Sequence, residues 1–158
     1  MSRHTMSTAA LAAVVLVAGG AAHAELSKNV INSFRGQLVI SKDELPEGKN
    51  DKDTIAKIKA AQVHELVGTA KSDVTAWHFH YSAFVAKGGS TTLKMMFYAD
   101  GKRYVADKRL DGVDPKSSML TGDISIDEDE GLAKGKTYTI KLETDKDAVV
   151  AQTTLTMK

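Results

Sequence analysis

From Asp73 onward apolar residues recur at every second position, the spacing that sends alternate side chains of a strand to opposite faces. Trp77, Phe79, Tyr81 and Val85 share one face of a long strand, and His78, His80, Ser82 and Phe84 share the other. Thr91 to Ala99 forms the next alternating run. Asp100-Gly101 after it predicts a two-residue hairpin into Lys102 to Leu110, because both turn residues tolerate positive φ. Such a loop sets Phe97 opposite Tyr104, Met95 opposite Ala106, Met96 opposite Val105 and Lys94 opposite Asp107. Three further runs follow: Leu120, Ile124 and Ile126; Tyr138, Ile140 and Leu142; Val149, Leu155 and Met157. With a first strand over 33–41, where Phe34, Leu38 and Ile40 share a parity, the pattern predicts seven strands.

Between the first two strands the period changes. Lys42 to Lys52 is loop chemistry, with Pro46, Gly48 and Asn50 among alternating charges. Ile55, Ile58, Val63, Leu66 and Val67 then gather on one side at 3.6 residues per turn, which predicts one α-helix over about 54–67 inside an insertion at 51–68. Asp51 or Asp53 is expected to cap its start and Gly68 its end. Both faces of the predicted hairpin are apolar, so the face bearing Met96, Tyr98 and Val105 needs a cover. The helix is the expected cover; left bare, that patch is the candidate protein contact.

Met1 to Ala24 has the form of a cleavable secretory signal helix: Arg3, the apolar run Ala9 to Ala18, then Ala22-His23-Ala24 as a small-x-small cleavage site. The run is too short to span a bilayer, and no later segment approaches the necessary length. Residues 25–158 are therefore expected to be a single exported domain, periplasmic or secreted, with no transmembrane segment. There is no cysteine, which removes disulfides, thiolate metal sites and cysteine nucleophiles. Loss of Arg3 leaves 20 basic against 20 acidic residues, interleaved along the chain, and that balance argues against nucleic acid as a partner.

Leu132, Gly135 and Tyr138 resemble the tyrosine corner of immunoglobulin-like and fibronectin type III domains. In that corner leucine plugs the core, glycine permits the bend, and the tyrosine hydroxyl bonds back to the backbone. Trp77 is similar to the buried tryptophan such domains carry on an early strand. The resemblance implies a mainly β chain folded as a seven-stranded antiparallel immunoglobulin-like β-sandwich with one inserted helix, and a role in binding.

Candidate chemistry is sparse. His78 and His80 leave one strand face together and could share zinc or copper, with His64 the remaining histidine of the folded part. Asp127 and Asp129 imitate the start of a calcium loop, but the twelfth position is Tyr138 in place of a bidentate glutamate. Ser82 and His80 share a face without a strained elbow or an oxyanion turn. No phosphate-cradling loop is present. The leading expectation is a non-enzymatic exported protein that binds a protein or cell-envelope component. A periplasmic metal-binding protein using His78 and His80 is the first alternative, and a small hydrolase the second.

Overall fold

The computed structural model describes residues 25–158, so the expected signal segment 1–24 lies outside the described residues. The described residues form two α-helices, nine strands and a 3-10 turn in the order α1 (Lys28–Ser33), β1 (Leu38–Ser41), α2 (Asp51–Ala61), β2 (Glu65–Leu66), β3 (Thr69–Lys71), β4 (Val74–Phe84), β5 (Thr92–Ala99), β6 (Arg103–Asp111), β7 (Met119–Asp127), the 3-10 turn (Glu128–Glu130), β8 (Thr137–Thr144) and β9 (Val149–Met157). One sheet of four strands has β4 at its centre, with β7 along one side and β1 and β3 along different stretches of the other. The second sheet runs β2-β9-β8-β5-β6. Their facing sides enclose one core, to which β4 contributes Trp77, Phe79, Tyr81 and Ala83, β5 Leu93, Met95 and Phe97, and β8 Tyr138, Ile140 and Leu142. The molecule is a two-sheet β-sandwich. No helix among the described residues is long and apolar enough to cross a membrane.

Nine strands replace the seven expected, and the two additional ones come from residues assigned to the helix or its exit. α2 ends at Ala61, and the Gln62 amide closes it on the Ile58 carbonyl. Val63 then donates to the Ile40 carbonyl, and Leu66 buries itself in the sandwich core through β2. Apolar spacing alone could not separate a longer helix from a short helix followed by an edge strand. The pairing is also not wholly antiparallel, because β2 runs parallel to β9. The N-cap is Asn50, whose side chain accepts the Asp53 amide at 3.0 Å, and neither Asp51 nor Asp53 takes that role.

The hairpin register differs as well. Ala99 faces Arg103 across a three-residue turn, and a bulge between Phe97 and Tyr98 leaves Val105 as the extra residue. Phe97 consequently faces Ala106, Met96 faces Asp107 and Lys94 faces Arg109, where Tyr104, Val105 and Asp107 were expected. Tyr104 turns outward at 54% exposure, while Val105 packs against the core and touches Gly131. Met96, Tyr98 and Val105 thus do not form one patch. Tyr98 donates its hydroxyl to Glu143 at 3.0 Å and lies under the Lys141 ammonium, so that outer face is polar and satisfied.

At the corner, Tyr138 is buried and its hydroxyl oxygen accepts the Ala133 amide at 2.8 Å, five residues upstream. Leu132 is buried beside it, and Gly135 has φ +79, a conformation glycine adopts without steric cost. Trp77 is fully buried and donates its indole N–H to the Lys158 carbonyl at 3.2 Å. Gly122 serves a different end: a Cβ there would lie 2.9 Å from the Tyr81 ring on the neighbouring strand.

A second, smaller apolar cluster lies outside the sandwich. Val30 and Phe34 of the α1 segment, Val39 of β1, Ile58 of α2 and Phe84 of β4 bury one another, with the Phe34 and Phe84 rings 5.1 Å apart. The helices therefore cover the outer face of the four-stranded sheet and leave the hairpin sheet uncovered, contrary to the expectation that α2 would cover Met96, Tyr98 and Val105. The strand expected over 33–41 forms only at Leu38–Ser41, because α1 runs to Ser33 and a turn follows it. Asp51 ties the two helices, accepting from Ser27 at 2.8 Å and Asn29 at 2.9 Å. Those bonds, Asn29 first, hold its carboxyl below the usual value.

Candidate functional site

β4 has a sandwich side and an outer side, and the outer side carries His78, His80, Ser82 and Phe84 in that order. Its neighbours set the rows across the sheet. Ser41 and Asp123 flank His80, Val39 and Thr121 flank Ser82, and Met119 stands opposite Phe84. The helical cluster covers the Phe84 end. Toward His80 the cover stops, and the loop between β1 and α2 arches over the strand without filling the space beneath it.

The result is a cleft of about 450 Å³. Its floor includes His80, Ser82 and Thr121; half-buried Leu26, Ile31, Leu45 and Met119 form the apolar wall. Glu25, Glu44, Glu47, Asp114 and Lys116 stand at the rim. A shallower hollow continues past His80 to His78, bounded by Lys42, Asp43 and Asp123. Clefts of this size suit small-molecule or side-chain ligands, and the lining of this one is more polar than apolar.

Two floor residues set the chemistry. His80 is 6% exposed, and its Nδ1 lies 3.2 Å from an Asp123 carboxylate oxygen. If Nδ1 carries the proton, Asp123 accepts it and Nε2 is left as an acceptor. Ser82 is fully buried, and its Oγ has no hydrogen-bond partner among the described residues. Val39 on one side offers no side-chain polar atom, the Ser41 hydroxyl one row away is spent on the Asp43 carbonyl at 2.6 Å, and Thr121 on the other side makes no bond to it. A buried hydroxyl without a partner costs roughly 1–3 kcal/mol, so an occupied partner position would recover stability. Burial, and then the Asp123 charge, pushes the Tyr81 phenol above its ordinary value.

The sequence-derived candidates fare differently. His78 and His80 do share a face, yet each ring is engaged with its own cross-strand neighbour, His78 Nδ1 with Ser125 Oγ at 2.8 Å and His80 with Asp123. His64 lies before β2, where its carbonyl accepts the Thr156 amide on the other sheet. Three of the four carboxylates of the acidic corner are turned to the backbone and to a lysine: Asp127 accepts from the Asp129 amide, Glu130 from the Asp127 amide and from Lys108, and Glu128 from the Thr75 amide at 2.6 Å. The Thr75 bond is the main cause holding Glu128 below the usual carboxylate value. Among the described residues no three His, Cys, Asp or Glu side chains converge as a metal set would.

Pattern reading missed the cleft itself. Its one sequence signal is Ser82, a polar residue at a strand position whose neighbour Phe84 needs cover.

No family model and no curated protein matches this chain. Among solved structures, an immunoglobulin-like protein from Pseudomonas aeruginosa is similar over 77% of this chain and 90% of its own length, at 11% identity and a TM-score of 0.39. A β-glucosidase from Kluyveromyces marxianus, in complex with glucose, is similar over 60% of this chain, at 14% identity and a TM-score of 0.32. This chain spans 14% of that enzyme's length. The sandwich assignment rests on the two sheets themselves.

Proposed function

We propose that the chain is exported, is cleaved after Ala24, and acts as a non-enzymatic binding protein whose ligand enters the cleft on the outer face of the four-stranded sheet. The observation that carries this reading is the buried Ser82, whose Oγ has no partner among the described residues, in the lining of a cleft of mixed polar and apolar surface. A hydrolase built on Asp123, His80 and Ser82 would need the imidazole to take the serine proton. The Ser82 oxygen makes no such bond, which favours binding over catalysis.

Amide chemical-shift mapping tests the reading. A panel of small amines, alcohols, amides and carboxylates is titrated into isotope-labelled protein. Expected are saturable shifts confined to residues 44–47, 80–82 and 114–121. Shifts centred on Met96, Tyr98 and Tyr104 would move the binding site to the hairpin sheet, and no saturable shift from any compound would remove the cleft as a ligand site.

A further inference from the structure

Resting on that reading, we infer that the cleft takes an alkylammonium group, an ammonium carried on an apolar stem of several carbons. Carboxylates outnumber cations at the rim, and the hydroxyls of the lining can accept as well as donate. Ser82 offers an unused oxygen, and His80 offers Nε2 once Nδ1–H is given to Asp123. At the rim, among the described residues, Glu47 and Asp114 set two carboxylates against the one cation Lys116. Glu25 is left out of this balance, because cleavage after Ala24 would place an α-ammonium on the same residue.

An ammonium has three donors and no acceptor, the complement of such a floor. Its charge would be costly to bury alone, and the rim carboxylates Glu47 and Asp114 supply the compensating charge. The stem is matched by Leu45 and Met119, half-buried apolar side chains of the lining. Two sources share this chemistry: a free aliphatic diamine, and a lysine side chain presented by a peptide.

Calorimetric titration of the purified protein with cadaverine and with a short capped lysine peptide separates them. Pentanediol and the Nε-acetylated peptide serve as neutral counterparts. Expected is saturable binding of at least one cation that weakens with salt, falls about tenfold or more for its neutral counterpart, and falls by a similar factor in the exposed-residue double variant Glu47→Gln, Asp114→Asn. Tighter binding of cadaverine identifies a free amine as the ligand source, and tighter binding of the peptide a protein side chain. If pentanediol binds as well as cadaverine with shifts still in the cleft, the ammonium assignment is wrong while the cleft stands as a site. Absence of cation binding, or full affinity in the double variant, also overturns the inference.

Discussion

Trp77→Ala is expected to lower the stability of the folded chain by about 3–5 kcal/mol, the range for deleting a large buried aromatic side chain. Trp77 is fully buried between the sheets, and Leu66, Phe79 and Ile126 belong to the same core. The loss exceeds hydrophobic transfer alone. The indole N–H is the donor to the Lys158 carbonyl, and that carbonyl also receives the Gly68 amide, so the ring helps seat the parallel pair of β2 and β9. A domain of this size is stable by roughly 5–15 kcal/mol, so the variant should melt many degrees lower or fail to accumulate. Denaturant unfolding followed by circular dichroism checks it. A midpoint unchanged from the parent would mean that the indole is not a core residue.

Phe84→Ala should cost a comparable ~3–5 kcal/mol, but with a different distribution over the molecule. Phe84 faces away from the sandwich and holds Val30, Phe34, Val39 and Ile58 to the outer side of the sheet. Truncation removes the 5.1 Å ring contact with Phe34 and loosens both helices. Hydrogen exchange should therefore speed up over 28–34 and 51–61 before it changes in β5, β8 and β9. Because Leu26, Ile31 and Leu45 of the cleft wall come from this covering layer, ligand affinity should fall as well. Uniform acceleration of exchange across both sheets would contradict a separable helical layer.

Period-two patterns carried the long strands well. β4, β5, β8 and the end of β9 bury the parity that the sequence marks, because that side of each strand faces the core, although β4 from His80 onward is buried on its outer side as well. Short elements were harder to read. α1 has six residues, less than two turns, and its traces in the sequence are the Ser27 cap and the Val30, Phe34 spacing. Val63 and Leu66 fit helical spacing equally well, and only the Ile40 and Lys158 partners, distant in sequence, decide against it. The hairpin slipped for a local reason: Asp100 and Gly101 do occupy positive φ, but a third loop residue and a bulge at Val105 followed, and Val105 changed sides. The cleft was the least legible feature. It is assembled from four separate stretches of chain, and strand alternation places His80 and Ser82 together without revealing that the loop above them leaves a space.

The most direct measurement is the thermal midpoint of Ser82→Ala against the parent, both without ligand. If the buried hydroxyl stands unpartnered beneath a ligand position, its removal relieves a desolvation cost of about 1 kcal/mol or more, and the variant should melt a few degrees higher while losing ligand affinity. A midpoint that falls, with affinity retained, would mean that Ser82 already has a structural partner and that the cleft floor is ordinary packing.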